Sequence, residues 1–256
     1  MTLEDVRRDS HLSFSRIRKY ISCPLSFRFT YVDKIPVTFV PSSLVFGSAM
    51  HSAIAEFFQM HLQGEQARKE ELVTIFTDYW KTEEEKNEIR YNGDDQGALF
   101  VMADKLLEVF IEKAQPQHVI GIEQPFKIEL EGLPPLVGVI DLIEEDASGS
   151  VAVVDHKCVS KRKSDFELAS DLQCSAYSIG IRTLGYEQDI LFRFDLYLKA
   201  KSVDYVKQYT TRSEYDRQRF IKLVRAVYDG ISKQVYYPIE SFMCAGCFHR
   251  SECSKF

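Results

Sequence analysis

The sequence predicts an α/β core with helical additions at its front. Three observations carry that prediction. Helical periodicity dominates up to about residue 115. Three consecutive strand-like runs follow, split by turn signals. A helix, two more strands and a last helix then complete the order expected of a sheet covered by helices.

The elements follow in chain order. Phe14, Ile17 and Ile21 stand at helical spacing, with Ser13 or Ser15 as the cap, and Pro24 after Cys23 ends or kinks that segment. A longer helix is expected from about Gly47 to His61, with Met50, Ile54, Phe57 and Phe58 as its apolar stripe. The charged stretch 65–88 reads as helical on its N-terminal side. Asn92-Gly93-Asp94-Asp95 signals a turn, and Leu99, Met102, Leu106, Val109 and Phe110 mark a helix over 97–113. Residues 118–130, 136–143 and 151–157 read as strands, separated by Gly132-Leu-Pro-Pro135 and Asp146-Ala-Ser-Gly-Ser150. A helix over 171–184, strands over 189–198 and 203–210, and a helix over 212–232 ending near Gly230 follow. The tail from Tyr236 is short and rich in cysteine. No internal repeat or low-complexity linker interrupts the chain.

Hydrophobic residues at 45% and charged residues at 27% are ordinary for a soluble globular protein. The 32 basic residues against 38 acidic ones leave a net charge of -6, which argues against a protein that coats nucleic acid. A local groove is a different matter, and Lys157, Lys161, Arg162 and Lys163 form one basic patch. No apolar run follows Arg7 and Arg8, so no secretory signal is read, and no stretch has the length of a membrane span. The expectation is a cytoplasmic protein without membrane contact. In a reducing compartment the six cysteines are then thiols or metal ligands rather than disulfides.

The most informative stretch pairs Gly138-Val-Ile-Asp141 with Val153-Val154-Asp155-His156-Lys157. A hairpin turning near Ser148 sets Asp141 opposite Asp155 on one face. Carboxylates so placed, with Cβ atoms about 4.5–5.5 Å apart, repel each other. A hard divalent cation with oxygen ligands turns that cost into a gain. Lys157 shares the face of Asp155, while His156 points the other way and offers its backbone carbonyl. An ammonium beside two carboxylates and a metal suits a developing phosphorane. A surface hairpin with an Asp–Lys ion pair would carry the same residues.

Gln173 and Tyr177 lie four apart on the next helix and share a face, within reach of the lysine, a metal-bound water or a phosphate. Ser170-x-x-Gln173 is also a capping-box pattern, and Tyr177 fits a half-buried core position. His51 stands four residues after Gly47, as a metal ligand or a structural histidine. Glu123 on the first strand orients neighbouring groups or is an edge carboxylate. Cys244, Cys247 and Cys253 follow a C-x2-C-x5-C spacing, a strong ligand signal. Cys23, before a proline at a helix end, is the best fourth ligand. Four thiolates hold either zinc or an iron–sulfur cluster, and spacing alone does not decide. Cys158 and Cys174 read as small buried fillers.

Together these residues resemble the PD-(D/E)XK nuclease superfamily in its RecB-like branch. The likeness is greatest to the branch's iron–sulfur exonucleases, such as the AddB nuclease domain and the small nucleases of CRISPR adaptation. It runs from Leu12-Ser-Phe-Ser-Arg and Cys23-Pro24 through Gly47-x-x-x-His51, Gly138-x-x-Asp141, Asp155-x-Lys157 and Gln173-x-x-x-Tyr177 to the terminal cysteines. The resemblance implies a restriction-endonuclease-like fold, a central mixed sheet flanked by helices. It implies Mg²⁺ or Mn²⁺ on His51, Asp141, Asp155 and the His156 carbonyl, with Asp141, Asp155 and Lys157 catalytic and Gln173 and Tyr177 supporting DNA. It implies a 4Fe–4S cluster rather than zinc on Cys23, Cys244, Cys247 and Cys253. Where many relatives carry Glu in the last acidic position, this chain has Asp155.

One nuclease domain over 1–256 is expected: a mainly helical part (1–115), a catalytic sheet (116–210), and a helix with the cysteine segment (211–256). The expected activity is metal-dependent hydrolysis of single-stranded DNA ends, by a stand-alone enzyme or a subunit beside an integrase or recombination protein. Recombination and repair, phage DNA processing and CRISPR adaptation are equally compatible. The competing reading is a non-catalytic or partner-dependent subunit that binds DNA ends on the same fold.

Overall fold

The computed structural model describes residues 10–91, 93, 95–187 and 190–256. Asn92 and Asp94 of the expected turn, and Asp189 at the start of an expected strand, lie outside the described residues.

The chain opens with a two-residue strand β1 (Leu12–Ser13) and helix α1 (Phe14–Ser22). Ser13 is the cap, accepting from the Arg16 amide at 3.3 Å. The segment ends before Pro24 as expected, because the residue before a proline is pushed to extended backbone and Cys23 has φ -166° and ψ 103°. Pro24 is then the first residue of a short helix α2 (Pro24–Phe27), where its missing N–H costs nothing. A π-helical turn (Arg28–Val32) and strand β2 (Phe39–Pro41) lead to α3 (Ser42–Leu62), which starts five residues before the expected Gly47. Next, α4 (Lys69–Lys86) extends nearly to the end of the charged stretch rather than only its N-terminal side. Phe76 and Trp80, four apart, give it an inward stripe, so its charges occupy the outer face. Strand β3 (Glu88–Arg90) pairs with β2, and α5 (Gln96–Lys113) follows with Asp95 as its cap.

The central sheet holds β1, β4 (His118–Ile128), β5 (Leu136–Glu145), β6 (Val151–Val159), β7 (Ile190–Leu198) and β8 (Asp204–Thr210). Between β6 and β7 lie α6 (Asp165–Ala169) and α7 (Leu172–Thr183). The crossover makes β6 and β7 parallel, whereas β4–β5, β5–β6 and β7–β8 are antiparallel. Helix α8 (Glu214–Ser232), a 3-10 turn (Phe242–Gly246) and a short helix α9 (Arg250–Cys253) close the chain. This is the mixed sheet flanked by helices that the sequence predicts.

Alternation along the strands builds a core on each face. Val151 and Val153 of β6, with Phe192, Phe194 and Leu196 of β7, join Ile181 of α7 and Phe220 and Val224 of α8. Val154 and Tyr197 join Phe46 and Phe58 of α3, Trp80 of α4 and Phe110 of α5. Among the described residues no helix is long and apolar enough to cross a membrane.

Two glycines are required by one ring. A Cβ on Gly138 of β5 would lie 2.4 Å from the Phe126 ring, and one on Gly180 of α7 would lie 2.6 Å from it. Phe126 thus wedges sheet and helix together. Alanine inside a helix is favoured over glycine by about 1 kcal/mol. Overpacking costs roughly 1–3 kcal/mol. Gly180→Ala is therefore expected to lower the urea midpoint despite its better helix propensity; a raised midpoint would show that Phe126 does not fill that space.

Candidate active site and metal centre

The site forms where two strands part. β5 and β6 pair over Leu142–Glu145 and Val151–Val154 only, while β1 takes the same edge of β5 at Leu136 and Val137. Residues 138–141 therefore have no strand partner on that edge. The register continues towards Asp141 opposite Asp155 and Ile140 opposite His156, but side chains replace the backbone ladder there. The His156 amide donates to Asp141 Oδ2 at 2.9 Å, and the His156 carbonyl accepts from His51 Nε2 at 2.8 Å.

That second bond sets the tautomer of His51. A carbonyl only accepts, so Nε2 carries the proton. In the neutral ring Nδ1 then holds a lone pair, and it lies 3.6 Å from Asp141 Oδ2. A backbone carbonyl on the far nitrogen is a usual way to orient a metal-binding histidine. The same bond occupies one lone pair of the His156 carbonyl, the oxygen expected to contact a metal directly.

Glu123 completes the cluster. One donor atom each from His51, Glu123 and Asp141 lie within 4.8 Å of one another. The register that turns about Gly132 pairs Ile122 with Leu142 and Gln124 with Ile140, which sets Glu123 beside Asp141. Glu123 has a φ of 46°, left-handed backbone inside a strand. Such strain costs on the order of 1–3 kcal/mol and concentrates at functional sites. The arithmetic that set Asp155 opposite Asp141 would have set Glu123 there too, had it been applied to the preceding turn.

Asp155 lies on the other side of Asp141, with only 4% of its surface exposed. Its Oδ1 accepts from Lys157 Nζ at 2.8 Å and from Gln173 Nε2 at 2.7 Å. Its Oδ2 is buried without a hydrogen-bond partner. An orphaned carboxylate oxygen beside a second carboxylate fits a cation, which satisfies both. Burial pushes the Asp155 carboxyl up to about 6, outweighing the opposing pull of Lys157, with Asp141 adding to the rise. Solvent reaches Glu123, yet its partly desolvated seat, followed by the charge of Asp141, pushes it up to about 7. Burial works against the charge of Lys157, but Asp155 and Asp141 prevail and hold the ammonium protonated. In the metal-free site Lys157 is thus a fixed cation.

Gln173 reaches Asp155 and the Tyr177 hydroxyl, the latter at 2.8 Å, rather than the lysine itself. The expected Ser170 capping box is not what starts α7. Asp171 is the cap, accepting from the amides of Gln173 and Cys174 at 2.9 and 3.2 Å. The basic patch is narrower than its sequence suggests. Lys157 pairs with Asp155, and Lys163 pairs with Asp171 at 2.8 Å, leaving Lys161 and Arg162 outermost.

His156 faces the opposite core, stacked on Phe58 with ring centroids 5.8 Å apart. Behind it lies a buried polar network that the sequence did not announce. Arg193 donates to Glu144 Oε2 at 2.6 Å and to both oxygens of Asp195, and the Tyr205 hydroxyl donates to Asp195 Oδ2 at 2.6 Å. Tyr197 Oη lies 3.3 Å from His156 Nδ1. Burial holds the imidazole well below the usual histidine range, so it is neutral. A fully satisfied network of this kind is rigid, and it anchors the residue whose backbone binds both Asp141 and His51.

The cysteine-rich segment docks on the N-terminal helices. The Leu25 amide donates to the Tyr237 carbonyl at 3.0 Å, and Thr30 Oγ1 and His249 Nε2 are 3.0 Å apart. Burial and then Cys23, Cys247 and Cys244 raise the Cys253 thiol, so all four expected ligands share one neighbourhood. No three cysteine sulfurs among the described residues lie within 4.8 Å of one another. A zinc ion with bonds of about 2.3 Å draws its thiolates closer than that. Burial pushes the Cys158 thiol up to about 12 and raises Cys174 further, which suits inert fillers.

The sequence profile of the PD-(D/E)XK nuclease superfamily matches residues 11–254. The chain belongs to that superfamily. Among solved structures, that of a presumed exonuclease from Eubacterium rectale overlays with a TM-score of 0.55 at 14% identity, covering 97% of this chain and 92% of the other. This likeness supports the fold. The structure of SSO0001 covers 94% of this chain and 95% of its own at 11% identity, with a TM-score of 0.35, too low to inform the comparison. No curated protein matches in sequence. PD-(D/E)XK nucleases typically use divalent metals, and the His51–Glu123–Asp141 group with the orphaned Asp155 oxygen fits such an ion.

The raised carboxyls have a pH consequence. In the metal-free protein Glu123 and Asp155 retain protons up to about 7 and about 6, whereas the unfolded chain releases them near 4. Their contribution to stability is therefore greatest in acid and falls as pH rises through those values. A divalent cation must displace those protons. Mn²⁺ affinity is expected to rise between pH 5.5 and 7.5, with proton release on binding, and Glu123→Gln should flatten the upper part of that rise. Calorimetric titrations in two buffers of different ionisation enthalpy measure both; a pH-independent affinity would contradict the cluster as metal site.

Proposed function

We propose that this PD-(D/E)XK nuclease is a divalent-metal-dependent exonuclease that removes nucleotides from single-stranded DNA ends. The observation that carries the reading is the cluster at the strand fork: His51, Glu123 and Asp141 within 4.8 Å of one another, with the buried Asp155 across from Asp141 bonded to one protonated lysine. The reaction is hydrolysis. Water attacks phosphorus, the P–O bond to the 3′ oxygen breaks, and that oxygen takes a proton, leaving a 5′-phosphate and a 3′-hydroxyl. Bound Mg²⁺ or Mn²⁺ would supply Lewis-acid polarisation of the phosphate and a more acidic water.

His51, Glu123, Asp141 and Asp155 would hold the ion, with the second lone pair of the His156 carbonyl within the same shell. Lys157 places a positive charge where the phosphorane develops, already oriented by Asp155. Gln173 holds Asp155 from the helix side, and Tyr177 holds Gln173. The whole chain acts as one nuclease domain in this reading. Its biological setting is DNA end processing in recombination and repair, phage DNA processing or CRISPR adaptation beside an integrase, which genomic neighbours distinguish.

Lys157→Ala is expected to lower cleavage of end-labelled single-stranded DNA in Mn²⁺ by roughly 10²–10³-fold, the usual cost of removing one preorganised charge donor. Cleavage that survives the substitution would overturn the catalytic assignment. End binding without any cleavage by the unaltered protein would favour the non-catalytic subunit instead.

The four cysteines are assigned to a 4Fe–4S cluster, which spreads its thiolates farther than a single ion does and staples the two ends of the fold. Anaerobically purified protein is expected to be brown, with iron and acid-labile sulfide in equal amounts. Cys253→Ser should remove both and lower the melting temperature. Colourless protein containing zinc would contradict the assignment.

A further inference from the structure

Beside the strand fork lies a cleft of about 550 Å³. Its floor is Phe126 and Tyr177, packed edge to face with ring centroids 5.7 Å apart. One wall is the open stretch of β5 at Gly138 and Val139; the other is Phe14, Arg16 and Tyr31 from the N-terminal helical segment. Gln173 lines the cleft and also donates to Asp155 at 2.7 Å, so one side chain joins this space to the carboxylate cluster.

The wall chemistry is specific. The Arg16 guanidinium lies 4.9 Å over the Tyr31 ring and donates to the His11 carbonyl at 2.7 Å, which fixes ring and cation relative to each other. Phe14 and Tyr31 are only half-buried and line the cleft, with the Tyr31 ring 5.0 Å from that of Phe27. A half-exposed aromatic surface with an adjacent guanidinium is the combination that stacks an unpaired base and meets its phosphate. The strand edge at residues 138–141 adds backbone groups with no ladder partner on that side. The volume falls within the range of about 300–1,000 Å³ for sites that enclose small ligands. A base inside a duplex is stacked on both faces, whereas an unpaired base is free to stack on an aromatic side chain.

We propose that this cleft receives the unpaired nucleotide adjoining the scissile phosphate, its base stacked on Tyr31 and Phe14 and its backbone met by Arg16. The assignment rests on the nuclease reading of the neighbouring site and deepens it. Selection of single strands follows from the cleft, because only an unpaired base reaches the aromatic wall while the next phosphate sits beside Lys157.

The test uses the full chain and an oligonucleotide carrying 2-aminopurine as its terminal base at one end or the other, as a single strand and in a blunt duplex. Binding is followed in Ca²⁺ and cleavage in Mn²⁺. The fluorescence of one terminal base is expected to change on single-strand binding, and not in the duplex. Tyr31→Ala should remove that change and raise KM roughly 5- to 100-fold, as expected for a lost base stack, and Tyr31→Phe should retain both. Arg16→Ala should reduce the salt slope of single-strand binding by about 0.7, the value of one phosphate contact, and serves alone if Tyr31→Ala fails to fold. No fluorescence change at either end, an equal change in the duplex, or unaltered binding by both variants would overturn the cleft assignment while leaving an active nuclease. Failure of the unaltered protein to cut any single strand would overturn the nuclease reading itself.

Discussion

Two strands that should zip together are held apart by side chains at the point where chemistry is expected, and much of the architecture serves that separation. The main-chain groups of His156 face β5, where the register brings Ile140. Asp141 takes the amide and His51 takes the carbonyl instead. Each substitution spends a functional side chain on the backbone, and each thereby acquires a fixed direction. Asp141 turns towards Glu123 and Asp155, and the free nitrogen of His51 turns towards Asp141. The remaining edge of β5 stays open because β1 pairs with only two of its residues.

Holding the fork open has a cost that neighbouring elements meet. Three carboxylates gather with one ammonium among them, and burial first, then the charge of Asp141, raises the Asp155 and Glu123 carboxyls. A divalent ion bound there would offset this penalty, because it gives the buried carboxylates an opposite charge. On the far face, Arg193 between Glu144 and Asp195 anchors β7 to β5, and Asp195 lies 3.9 Å from the neutral ring of His156. Breaking one buried partner there would strand a charge, which is more damaging than losing a surface ion pair. The backbone of His156 thus has a rigid support on one side and the side chains of Asp141 and His51 on the other.

Much of this was legible in the sequence for physical reasons that can be named. The buried run Val151–Val154 and the symmetric turn about Ser148 fixed the Asp141–Asp155 register, because a strand period of two leaves no intermediate arrangement. The α/β core with helices at its front followed from the order of periodicities, and the mixed sheet from the family resemblance. Glu123 was seen but its role was not, because its partner strand was not carried through the Gly132 turn, and because a left-handed residue inside a strand has no sequence signature. The Arg193 network escaped since Glu144 on β5, Arg193 and Asp195 on β7 and Tyr205 on β8 are far apart in the chain, looking like ordinary surface charges until the sheet buries them. The cap of α7 was misread by one residue, a typical ambiguity where Ser170 and Asp171 stand side by side. The aromatic cleft depends on the packing of α1 against the edge of β5, which no local pattern encodes.

The central claim is that the strand fork holds a divalent cation among His51, Glu123, Asp141 and Asp155. Crystals grown with Mn²⁺ and measured on the high-energy side of the manganese edge test it directly. The account predicts an anomalous peak bonded to Asp141 and the orphaned oxygen of Asp155, within reach of His51 and Glu123. A fork with Lys157 and Asp155 paired as here and no peak, or manganese bound only elsewhere, would contradict it.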